Sequence, residues 1–177
     1  RDDAGHLVPL VTRETVIDPG HLPEPPDYPP NWTWWALAVG ILSGLGMLAL
    51  ARARARTWAR ATFAASATLI SFVCGIAGLV LIGLWALTDH VAAWHNENIA
   101  LLNPLCLLLL PAWIASARAR WQPSRFVKAV SFLIAFSAAL EFFLKIYPSF
   151  PQDNRFWIAL LLPIHAALAA SVNWKPS

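Results

Sequence analysis

The chain has 177 residues, of which 58% are hydrophobic and 13% charged, with a formal net charge of +3, and its mean hydropathy is +0.53. Soluble domains carry about 25% charged residues, so this balance excludes a soluble globular protein and places the chain in a membrane. The basic balance does not indicate nucleic acid, because the arginines sit in short connections between hydrophobic segments, where membrane topology accounts for them.

Residues 1–31 differ in kind from the rest. They begin at Arg1 rather than Met, as in a processed or partial chain, and contain no apolar run long enough for a signal peptide. Leu7 to Ile17 is rich in β-branched residues and reads as a short strand, confined to a sheet edge by Pro9. Such a strand cannot stand alone, so its sheet partners are expected upstream. After the turn at Asp18-Pro19-Gly20, the prolines from Pro23 to Pro30 make a stiff, extended linker. The expected organisation is the tail of an upstream domain and a linker over 1–31, and a membrane domain over 32–177.

That domain reads as an all-α bundle of five transmembrane helices, since stretches at 32–50, 61–87, 98–116, 126–147 and 156–172 each approach the roughly 20 apolar residues a span needs. Trp32, Trp34 and Trp35 mark the headgroup level where the first helix enters. Gly40 and Gly44 form a GxxxG pair, read as packing within the bundle rather than as a dimer signal, and Ala67, Ser71 and Gly75 make a small-residue stripe on the second helix. Arg52, Arg54, Arg56 and Arg60 fill the first connection, and Arg118, Arg120, Arg125 and Lys128 the third. The connection from Thr88 to Glu97 has neither Lys nor Arg. The positive-inside rule therefore predicts cytoplasmic arginine loops, an outside N-terminus and a cytoplasmic C-terminus. Cysteines introduced at Thr57 and Pro151 should then be labelled from opposite sides of the membrane. Labelling of Thr57 from outside would remove this topology.

Polar residues gather towards the expected outer face. The stretch from Thr88 to Leu105, TDHVAAWHNENIALLNPL, holds His90, Asn96, Asn98 and Asn103. A third helix starting near Asn98 places Asn103 about 7 Å below the surface and lets Asn96 and Asn103 share a face. Ser137, Glu141 and Lys145 form a stripe on the fourth helix, with Glu141 about 9 Å short of an outer end at Tyr147. An acid inside a membrane helix is a functional candidate by default, and pairing between Glu141 and Lys145 is the structural alternative. Asn98 alone reads as a cap on its own backbone, whereas the asparagine cluster as a whole reads as more than capping. His165 lies about 15 Å deep beside Pro163, where a neutral imidazole bonded to a neighbouring carbonyl is expected. His90, Asn103 and Glu141 are expected to converge, because each is costly to leave in lipid.

No metal, haem or other cofactor is expected, since His90 and His95 are not at the i, i+4 spacing of a helical ligand pair and Cys74 and Cys106 sit in apolar helices. No catalytic residue is assigned either, for neither thiol has a histidine base.

Thr88-x-His90, Asn96-x-Asn98 and Asn103-Pro104-Leu105 together resemble the signature that opens the membrane part of the Lnb-type lipoprotein N-acyltransferase family of bacterial envelope proteins. Val91 and Glu97 depart from that pattern, and His95 is outside it. GHLVPLVTRETVI also resembles the tail of the family's periplasmic domain. The resemblance implies a periplasmic catalytic domain with Cys and His, lying upstream of Arg1, above a helical bundle in the inner membrane. Its implied partners are membrane lipids, a lipoprotein substrate and that upstream domain. The membrane domain is then expected to position lipid or lipoprotein substrate at the outer face through His90, Asn96, Asn98, Asn103, Glu141 and Lys145. The alternative is a non-enzymatic scaffold or lipid-binding module whose polar cluster only holds helices together.

Overall fold

The computed structural model describes residues 31–88, 96–150 and 152–173. The chain divides into a unit Arg1–Pro30 and a unit Asn31–Ser177, and every described residue lies in the second. The strand expected over Leu7 to Ile17 falls outside the described residues.

Four α-helices and one interrupted segment make the bundle. They are α1 (Thr33–Arg52), α2 (Thr57–Leu87), a third segment ending in the short α3 (Leu110–Ala115), α4 (Arg125–Leu144) and α5 (Arg155–Ser171). α1, α2, α4 and the segment Glu97–Ala115 are long and apolar enough to cross a membrane, and α5 is a shorter apolar helix of 17 residues. Successive elements run in alternate directions, so the arginine-rich connections gather at one end and Thr33, Leu87, Asn96, Lys145 and Arg155 at the other. At the arginine end, Arg60 donates to the carbonyls of Arg54, Ala55 and Ala117, which ties the two basic connections together.

α1 and α5 start at the same end and pack most extensively, through the glycines. A Cβ on Gly40 would lie 2.6 Å from the carbonyl oxygens of Ala159 and Leu160, and one on Gly44 would lie 2.9 Å from that of Pro163. The GxxxG pair is therefore spent inside the bundle. Part of this contact falls on the Ala159 carbonyl, which Pro163 deprives of its helical N–H partner. α2 packs on the third segment through its small-residue stripe. Ala67 is fully buried, Gly75 meets Leu107, and Ser71 accepts a 2.8 Å hydrogen bond from Trp113 Nε1. Trp113 is itself fully buried against Phe63 in an edge-to-face pair.

The third segment is not the single α-helix expected over 98–116. It consists of a 3₁₀ turn at Glu97–Ala100, a break, a second 3₁₀ run at Pro104–Leu109 and then α3. Pro104 and Pro111 remove two amide donors, so a continuous ladder cannot form. In lipid each freed carbonyl needs another partner, and neighbouring helices supply them. Ser137 of α4 donates to the Ala100 carbonyl at 2.9 Å, and His165 of α5 lies 2.9 Å from the Leu101 carbonyl. The Leu102 carbonyl faces the bare Cα of Gly78 on α2.

Candidate functional site

The polar residues at the end opposite the arginines fall into two adjoining groups. The first is built on the broken third segment. Asn96 Oδ1 accepts from the backbone N–H of Asn98, and Asn103 Oδ1 accepts from that of Leu105, both at 3.0 Å. These are the same side-chain cap, repeated seven residues apart at the start of each 3₁₀ run. Asn96 and Asn103 thus begin separate turns and do not share a helical face, because the chain between them is not α-helical. Asn103 keeps its amide for a second task, donating through Nδ2 to Ser137 Oγ at 3.1 Å. His165 behaves as the sequence suggests. Its ring is buried, and since a carbonyl can only accept, Nε2 carries the proton bonded to Leu101.

The second group centres on Lys145. α4 ends at Leu144 rather than Tyr147, so Lys145 is its cap and Glu141 lies one turn from the end, nearer the surface than expected. Lys145 Nζ pairs with Glu97, with Glu141 Oε1 at 2.9 Å and with the Gln152 carbonyl at 3.0 Å. Three acceptors account for all three of its N–H groups. Glu141 is 3% exposed and also accepts from Asn154 Nδ2 at 2.8 Å. Gln152 closes the ring, donating from Nε2 to Asn96 and accepting from the Glu97 amide at 2.8 Å. One lysine thus faces two carboxylates where the third segment, the end of α4 and the start of α5 meet.

Burial alone would lower the Lys145 pKa, but the hydrogen bonds and charges of Glu97 and Glu141 outweigh it and raise the value above 10.5. A raised lysine stabilises the fold fully below its unfolded pKa and loses that contribution only as pH rises through the folded value, so this ion pair should not weaken at neutral pH. Nearby, the hydrogen bond from exposed Arg155 holds the Asp153 carboxyl below its ordinary value.

Two acceptors in this region lack partners. Among the described residues, Asn98 Oδ1 and Asn154 Oδ1 are buried and receive no hydrogen bond. Asn98 is therefore not the cap, which is Asn96. Of the residues singled out in the sequence, Asn96, Asn98, Asn103, Glu141 and Lys145 lie at this end, while His90 is outside the described residues. Asn103 reaches α4 through Ser137, one turn before Glu141. Sequence reasoning did not assign Glu97, Gln152 and Asn154 to the site. The available signal was Glu141 itself, an acid one turn from a helix end that needs more than one donor. Among the described residues, no group of three His, Cys, Asp or Glu side chains could hold a metal ion.

Residues 31–174 match the family described as the Lnb transmembrane domain. No curated protein and no solved structure matches the chain. The matched region contains all of the bundle described above, and the chain belongs to the Lnb transmembrane domain family.

Proposed function

We propose that this domain positions a lipid-bearing substrate beneath a catalytic domain at the outer face of the bacterial inner membrane, as part of a lipoprotein N-acyltransferase. The observation that carries this reading is the pair of buried acceptors, Asn98 Oδ1 and Asn154 Oδ1, which have no partner among the described residues and lie beside the network of Glu97, Lys145 and Glu141. Leaving a buried acceptor unsatisfied is costly in the folded protein, and an incoming N–H donor, an amide or an amine, would relieve that cost. The two free atoms are uncharged acceptors, so they suit an N–H group of the substrate and not an ester oxygen, which has no proton to donate. Orientation, rather than attack on the acyl group, is the role assigned to them.

The competing reading is a scaffold in which the network only fastens helices. It is favoured by the saturation of Lys145 and by the caps that Asn96 and Asn103 make on their own backbone. Asn98→Ala separates the two. As packing, Asn98 contributes an unsatisfied acceptor, so its removal should leave membrane abundance unchanged. As a positioning group, its loss should lower lipoprotein N-acylation in the complete protein by about 10–100-fold, the scale of a misplaced substrate. His90→Ala and Asn103→Ala should be measured beside it. Normal acylation in all three variants at normal abundance would favour the scaffold.

A further inference from the structure

α1 and α4 flank α5, and between them lies a cleft of about 370 Å³. Its floor is one stripe of α5, formed by Ile158, Ala159, Leu162 and Pro163. Leu37 and Trp34 of α1 make one wall and Phe142 of α4 the other. Among the described lining residues, polar groups occur only at the mouth, where Thr33, Lys145 and Arg155 stand at the ends of their helices. From Arg155 to Pro163 the floor descends about 12 Å, which stays within one leaflet of a hydrocarbon core about 30 Å thick. A slot apolar along its length and polar at one end has the polarity gradient of a single ester-linked acyl chain.

The mouth narrows the choice of lipid. Lys145 has spent its three donors on Glu97, Glu141 and Gln152 and offers the cleft only its methylene stem. Arg155 differs. Its side chain is 71% exposed, and its one partner among the described residues is the equally exposed Asp153, bonded through Nε and Nη2. An exposed pair of this kind holds weakly and exchanges readily, which leaves a guanidinium fork at headgroup level with the geometry for phosphate. The geometry points to a phospholipid site, with one acyl chain in the α1–α4–α5 cleft and the phosphate on Arg155. This deepens the positioning reading above, naming a lipid the domain holds and where.

The test uses the full chain in nanodiscs with a phospholipid carrying a diazirine midway along one acyl chain, and a diacylglycerol with the same chain but no phosphate. After irradiation, adducts are mapped by mass spectrometry. The phospholipid should label the Ile158 to Leu162 stretch above the open surface of α2 at Val73 and Ile76, which serves as the measure of bulk contact. Filling the floor with Ala159→Phe, or independently with Leu162→Trp, should remove the cleft adducts and leave those on α2 unchanged; the unchanged α2 adducts and melting temperature report an intact fold. Arg155→Gln should weaken phospholipid labelling about tenfold, the effect of one charge-assisted hydrogen bond, without changing diacylglycerol labelling. Cleft labelling no greater than that of α2, or unaltered by both filling variants, would overturn the site. Equal labelling by the two probes, insensitive to Arg155→Gln, would overturn the phospholipid assignment. Because Asn98 does not line this cleft, its acylation test stands or falls separately.

Discussion

Gly78→Ala should destabilise the bundle, while Gly83→Ala, five positions further along the same helix, should stabilise it slightly. A Cβ on Gly78 would drive into the Leu102 carbonyl and lie 2.9 Å from the Pro104 ring, whereas one on Gly83 meets nothing within 4 Å. At Gly83 only the intrinsic preference acts, worth about 0.5–1 kcal/mol in favour of alanine in a helix. At Gly78 the neighbour is backbone at the break of the third segment, which cannot rotate away as a side chain can. The cost should therefore reach or exceed the upper end of the usual overpacking range, about 3 kcal/mol. At about 2–4 °C per kcal/mol for a chain of this size, melting in detergent should separate the two variants clearly and with opposite sign. Gly40→Ala and Gly46→Ala form a second such pair on α1, because Gly40 meets α5 backbone and Gly46 meets nothing. Equal melting of Gly78→Ala and Gly83→Ala would mean that α2 and the broken segment are not in backbone contact.

Those contacts show which parts of the fold were legible beforehand. Hydropathy and the spacing of the arginines locate the spans because burial in lipid depends on composition alone, and α1, α2, α4 and α5 begin and end within a few residues of the stretches read from sequence. The use of Gly40 and Gly44 inside the bundle was legible too, since GxxxG spacing lets a neighbouring helix approach closely, and the structure adds that the neighbour is α5 at Pro163. The third segment was misjudged for a physical reason. Hydropathy reports where a residue resides and not how its backbone is bonded, so an apolar run containing Pro104 and Pro111 still reads as a helix. Asn103-Pro104 carried the warning, because a capping side chain followed by a residue without an amide is how a new turn starts. The network around Lys145 was only half legible. Glu141 and Lys145 share one helix and pair at i, i+4 spacing, which sequence displays directly. Glu97, Gln152 and Asn154 lie in connections where polar residues ordinarily meet water, and only the folded chain brings them onto the same lysine.

That lysine makes Glu141→Ala the most damaging single change at the polar end. Removing the carboxylate takes one of two acids from Lys145 and leaves Asn154 Nδ2 buried without its acceptor. Breaking a buried ion pair from one side costs about 3–5 kcal/mol, chiefly from the partners left behind. Membrane abundance and melting temperature should both fall. Glu141→Gln should cost less, because a neutral amide oxygen still accepts from Asn154 and Lys145 while Glu97 continues to balance the charge. The double variant Glu141→Ala/Lys145→Ala should recover part of the summed loss of the two single variants, because the Glu141–Lys145 bond is lost only once, even though Glu97 is left without its cation. A recovery of about 0.5–3 kcal/mol in the double-mutant cycle would measure the coupling. Asp153→Ala is the contrast, since it breaks an ion pair of similar length in solvent, where screening leaves little to lose, and should not shift melting measurably. If Glu141→Ala melts with Asp153→Ala, the carboxylate is not holding the third segment, α4 and α5 together. Its burial would then have to be explained by the substrate-positioning role alone.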